Sequence, residues 1–131
     1  MRRAAVLIVL LALAGSAVAQ ASIPSWSGRW QRARTEYGAG SGLFTLQQKG
    51  THVTGAYHWK GCTNLYGGSI VGTAHGNSLV ATFNRNGDVH GTLRLHLSAD
   101  QHHITGTWKV TSGKCPDSTG SFDATYLGKL K

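Results

Sequence analysis

This chain predicts an all-β fold: an eight-stranded antiparallel up-and-down meander closed into a barrel, with a two-sheet β-sandwich as the alternative. Three observations point there. Short segments alternate apolar and polar residues; breaks rich in Gly, Asn, Ser and Asp separate them; and no 3.6-residue period follows the first 20 residues. Glycine is abundant at 18 residues and proline scarce at 2, as suits short strands joined by tight turns.

The segment before the first strand reads as an export signal. Met1-Arg2-Arg3 precedes an apolar run from Ala4 to Ala14 and the small-residue ending Ser16-Ala17-Val18-Ala19. That run is shorter than the roughly 20 residues a membrane-spanning helix needs, so no transmembrane segment is expected. With residues 1–19 read as a signal peptide, residues 20–131 form a single β-barrel domain in a secreted or periplasmic protein. This mature part has 112 residues, 11 basic against 5 acidic, a net charge of +6. The charges are scattered rather than clustered, so no nucleic-acid stripe is expected. A basic balance favours anionic surroundings, such as an envelope polymer or an acidic protein, and also serves solubility alone. An even pair of cysteines, Cys62 and Cys115, in an exported chain reads as one disulfide. Closing a loop of that size is worth roughly 4 kcal/mol.

Eight strands follow in order, at about 26–34, 42–49, 51–59, 68–75, 78–85, 89–97, 103–110 and 119–127. Alternation sets their faces. Phe44 and Leu46 point inward, then Val53, Gly55, Tyr57 and Trp59 on the next strand. Ile70, Gly72 and Ala74 follow, then Leu79, Ala81 and Phe83, then Leu93, Leu95 and Leu97. Ile104, Gly106, Trp108 and Val110 make the seventh inner row, and Phe122, Ala124 and Tyr126 the eighth. The opposite rows hold Thr54, His58, Thr92, Arg94, His96, Thr105, Thr107 and Lys109, which suit water. Lys49-Gly50-Thr51, His75-Gly76-Asn77 and Asn86-Gly87-Asp88 are hairpin turns, and Ser98–His102 is a longer hairpin loop. The third and seventh strands share a pattern, "HVTGAYHW" and "HITGTWKV", with an inward glycine between an apolar residue and an aromatic. Gly55 and Gly106 are expected to let the strand bend, or to let an aromatic lie against bare backbone.

The longer connections, 35–41, 60–67 and 111–118, share one end of the meander, and the two cysteines fall in the second and third of them. Small barrels hold ligands at their mouths, and binding residues favour loops on a rigid scaffold. The candidate ligand-binding residues are therefore Tyr37, Trp59, Lys60, Asn64 and Tyr66 around that mouth, with Trp108 in the inner row. Aromatics with a few donors suit a flat or sugar-like small molecule. The competing reading has Trp59 and Tyr66 plugging an eight-stranded interior that side chains can just fill.

No catalytic constellation is visible. There is no nucleophile elbow, paired carboxylate or Cys–His pairing, and Asp88 and Asp100 lie in turns, where Asp is favoured structurally. Four of the seven histidines, His52, His75, His102 and His103, fall at the short-turn end, on turns about 10 Å apart, without a carboxylate pair to join them. No metal and no cofactor is expected. The leading expectation is a non-enzymatic binding module for a small ligand. The alternative is an exported inhibitor or envelope-associated protein that meets an anionic macromolecule through its basic surface.

Ser27-Gly28-Arg29-Trp30 opens the first strand with Gly-x-Trp, and Val53-Thr54-Gly55-Ala56-Tyr57 lies in the third. With eight meander strands and small hairpins, the whole mature region resembles the calycin-type barrels, the avidin and lipocalin families, and most nearly the avidin-like proteins. The resemblance implies a small secreted barrel and, for avidins, biotin as the ligand. Tyr57 stands where the avidin third-strand Tyr would, and Trp108 where a biotin-stacking Trp would. The small polar acceptors after Gly-x-Trp are replaced by Gln31, Arg32 and Arg34, and the small hydroxyl residue two positions after Tyr57 by Trp59.

Overall fold

A computed structural model describes residues 23–33, 42–60, 66–85, 89–113 and 118–131, without the side chains of Lys60 and Tyr66. The strands are β1 (Gly28–Arg32), β2 (Leu43–Lys49), β3 (His52–Lys60), β4 (Tyr66–His75), β5 (Ser78–Arg85), β6 (Val89–Leu97), β7 (His103–Gly113) and β8 (Thr119–Gly128). Each pairs antiparallel with its sequence neighbour, and β1 pairs with β8, which closes the barrel and excludes the sandwich. Closure leaves no sheet edge exposed. The signal-peptide reading of residues 1–19 and the Cys62–Cys115 pairing lie outside the described residues.

Period-two alternation builds the core. Phe44, Leu46, Val53, Tyr57, Ile70, Ala74, Leu79, Ala81, Leu93, Leu95, Leu97, Ile104, Trp108, Val110, Phe122 and Ala124 are all buried, as the alternation predicts. Trp59, Phe83 and Tyr126 are partly buried against them. The outward rows carry the exposed Arg94, His96, Thr105 and Lys109, the reverse of the apolar outer band that a membrane-spanning barrel presents to lipid. No helix among the described residues is long and apolar enough to cross a membrane.

Two differences from the sequence reading matter. The first strand begins at Gly28, two residues later than expected, and Trp26 precedes it as a plug at the short-turn end. Trp26 is fully buried; its backbone N–H donates to Gln48 Oε1 (3.0 Å), and its indole Nε1–H donates to the Gly76 carbonyl (3.1 Å). Trp30 Nε1–H in turn donates to the Trp26 carbonyl (3.2 Å). Every polar group brought in with the two rings thus has a partner, which is what makes burying them favourable. Second, both inner glycines are required by neighbouring backbone rather than by Trp59 or Trp108. A Cβ on Gly55 would collide with the Thr45 carbonyl oxygen and lie 2.8 Å from Leu46 Cδ2. On Gly106 it would collide with the Arg94 carbonyl oxygen and lie 2.9 Å from Leu95 Cα.

Other inner glycines seat rings across the strand pair. Gly68 faces Tyr57, Gly91 faces Phe83 and Gly120 faces Trp108, each as a directly paired residue. A bare backbone opposite each large ring lets the aromatics fit in a narrow barrel. The hairpins β2–β3 and β4–β5 turn on Gly50 (φ +62°) and Gly76 (φ +61°). Thr51 and Asn77, which follow them, have ordinary negative φ, the pattern of a type II′ turn.

Candidate functional site

The C-terminal ends of β1, β3, β5 and β7 and the N-terminal ends of β2, β4, β6 and β8 form the mouth opposite Trp26. Here the register of β3 against β4 slips: Tyr57 pairs with Gly68, but Lys60 pairs with Tyr66, so β3 carries one extra residue across His58 and Trp59. A bulge of this kind bends the strand and re-aims a side chain. Trp59 packs edge-on against Phe44 (ring centroids 5.9 Å apart), tilted against Tyr57 (4.7 Å) and tilted against Phe122 (6.4 Å). Phe44 in turn meets Phe122 edge-on at 5.4 Å, and Tyr57 meets Phe83 at 6.3 Å. Such offset and edge-to-face pairs add stability beyond the area they bury.

Against this aromatic group lies a charge that alternation of apolar residues alone does not flag. Arg32 is only 6% exposed; its guanidinium carbon sits 4.5 Å from the Phe122 ring centroid and 5.1 Å from that of Trp59. Its Nη2–H donates to the Ser121 carbonyl at 2.9 Å. A planar guanidinium against ring faces gains cation–π attraction that grows as water is excluded. Arg85 is 3% exposed and ends the inner row Leu79, Ala81, Phe83, Arg85. Arg32 likewise ends the row Gly28, Trp30, Arg32. These are the only two charged side chains among the described residues that are buried. Alternation continued by one step beyond Trp30 and beyond Phe83 finds both. Their charge makes them look like strand ends in water, which hid them.

Of the six residues expected to bind, Trp59 stands at the mouth as expected. Lys60 and Tyr66 face one another as paired residues at the β3–β4 end. Tyr37 and Asn64 lie outside the described residues. Trp108 sits in the wall over Gly120, 9% exposed. Its indole nitrogen is buried with no hydrogen-bond partner among the described residues. Packing against Gly120 is its evident role.

At the other end, the Ser98–His102 loop is held by Asp100, whose Oδ1 accepts from Ser98 Oγ (2.5 Å) and from the His102 backbone N–H (3.0 Å). The Ser98 hydroxyl, and then the His102 amide, hold this carboxyl below the usual carboxylate range. His102 stacks on Tyr126 at 5.6 Å. No three His, Cys, Asp or Glu side chains among the described residues are grouped to hold a metal ion. Comparison with protein-family models, with curated proteins and with solved structures finds no match to this chain.

Proposed function

We propose that this protein is an exported, non-enzymatic binding module that holds a small molecule at the mouth of its barrel. The observation that carries this reading is Trp59: a large, partly exposed ring at the mouth, next to a strand bulge and against a buried guanidinium. Bulges cluster where a side chain must be re-aimed. The chain's resemblance to the calycin-type barrels agrees with a ligand at this end.

A second reading rests on the outer wall. A groove across β6, β7 and β8 runs past Trp108 and Gly120 and carries two cations, Arg94 and Lys109, beside the hydroxyls of Thr92, Thr107 and Ser121. It would suit an anionic macromolecule.

A thermal-shift screen of small molecules, run at low and high salt on the mature protein and on Trp59→Ala, separates the two. Mouth binding is expected to persist in salt and to weaken about tenfold in Trp59→Ala, since one desolvated aromatic contact is worth roughly 1–2 kcal/mol. Retention on a polyanion that is lost in salt and unaffected by Trp59→Ala would instead assign binding to the outer wall.

A further inference from the structure

We infer that the outer wall from β4 to β8 binds a linear acidic polysaccharide of the polyuronate kind, laid across the strands. The inference rests on the outer-wall reading above and names its partner.

The groove across β6, β7 and β8 meets a second one, which reaches β4, at Thr92, a residue that lines both. One register row follows this track. Val71 pairs with Thr82, Thr82 with Thr92, Thr92 with Lys109, and Lys109 with Thr119. Five strands at the usual spacing make the track roughly 19 Å long. An open track of that length fits an extended chain better than a compact small molecule.

This wall is almost free of negative charge. Asp123 is the only acidic residue on any of the eight strands, and it lies one outward position past Ser121, toward the short-turn end. Arg94 and Lys109 are exposed and make no hydrogen bond or ion pair among the described residues, so both charges are uncommitted. Arg94 pairs with Thr107 and Lys109 with Thr92. The two cations are therefore diagonal neighbours across β6 and β7, about 7–8 Å apart at the backbone. An ordinary soluble surface intersperses acids among its cations.

Hydroxyls outnumber these cations: Thr92, Thr107, Thr119 and Ser121 flank Arg94 and Lys109. A polyuronate matches that mixture, with a carboxylate and free hydroxyls on each sugar. Each Thr or Ser hydroxyl can donate to or accept from a sugar hydroxyl, while the guanidinium and ammonium take the carboxylates. Nucleic acid fits less well, because it is gripped by many cations at once and by aromatic rings under its bases. No Phe, Tyr or Trp takes an outward position on β5 to β8. No outward position of β6 or β7 is apolar either, as insertion into lipid would need.

The test is surface plasmon resonance of the mature protein over immobilised polygalacturonate, and over the same polymer with its carboxyls methyl-esterified, at physiological salt. Esterification is expected to weaken binding about tenfold or more, since it removes the partners of two exposed cations. Arg94→Gln and Lys109→Gln should each weaken binding to the acid form about two- to fivefold. Thr107→Val, which keeps the shape but removes a hydroxyl, should weaken it about threefold. Lys49→Gln removes an equal charge from β2, on the opposite wall, and should change nothing. All four substitutions are at exposed strand positions, so the fold is kept.

Equal binding of the two polymers overturns the inference. So does an equal loss with Lys49→Gln, because net charge alone then explains the attraction. Tighter binding to oligothymidylate or to phosphatidylglycerol vesicles, weakened by Arg94→Gln, also overturns it but leaves the outer-wall reading standing. If the protein is retained on none of the three, both fall.

Discussion

Replacing Gly55 with alanine adds one methyl group where β3 lies close against the backbone of β2. Its Cβ would collide with the Thr45 carbonyl oxygen and sit 2.8 Å from Leu46 Cδ2. Leu46 can yield by changing rotamer, although it is 1% exposed and tightly surrounded. The carbonyl cannot yield without moving β2, where Thr45 pairs with Ala56 and Leu46 with Gly55. Overpacking that shifts backbone destabilises by up to about 3 kcal/mol. Loss of glycine's freedom in the unfolded chain offsets roughly 0.4–1 kcal/mol of this. A net loss of about 2 kcal/mol remains, which lowers the melting temperature of a domain this size by roughly 8 °C. Gly55→Val should fall further.

Gly50→Ala is the internal control. Nothing lies within 4 Å of a Cβ there, so only its left-handed φ of +62° opposes the change, worth about 1 kcal/mol before the same offset. Melting curves by far-UV circular dichroism on the three variants decide the matter. A Gly55→Ala protein melting within about 2 °C of the parent, or no lower than Gly50→Ala, would show that β2 and β3 are not in the close approach described.

Trp26→Ala removes the plug at the short-turn end and should destabilise by about 3–5 kcal/mol, read as a lower urea midpoint at unchanged slope. Trp26→Phe, which keeps most of the ring but loses the bond to the Gly76 carbonyl, should lose clearly less; equal losses would place the ring's role elsewhere. For Asp100 the pH dependence has a definite sign. Its carboxyl is held low chiefly by the Ser98 hydroxyl and the His102 amide, so its contribution is complete above the usual carboxylate range. That contribution is lost as pH falls through its lowered folded value. The His102 amide should therefore stay protected at pH 5 and exchange faster only in stronger acid; a change centred at pH 6 or above would refute Asp100 as the group responsible.

Most of the wall is written locally. Alternation depends only on neighbours two residues apart, so the inner rows from Phe44 through Tyr126 and the pattern shared by β3 and β7 could be read from the chain directly. Gly50 and Gly76 were legible for the same reason, because a type II′ turn needs a positive φ at one defined position. The glycines at 55 and 106 were placed correctly on the inner face, but their obstacle was not. Carbonyl oxygens of the paired strand crowd them, and that depends on how closely the strands approach.

Other features exist only once distant segments meet. Barrel rather than sandwich was decided by β1 pairing with β8, as in Trp30 with Tyr126, a contact between the two ends of the domain that local pattern does not encode. Trp26 reads as part of a strand until Gln48 and Gly76 are seen supplying partners for its backbone and indole nitrogens. The bulge beside Trp59 is a mismatch between two strands, invisible in either alone. Arg32 and Arg85 show the limit most clearly. The period that buries Trp30 and Phe83 also buries them, but a charged residue at a strand end is expected in water. In the assembled barrel, the Phe122 and Trp59 rings and the Ser121 carbonyl meet the Arg32 guanidinium and help offset the burial of that charge.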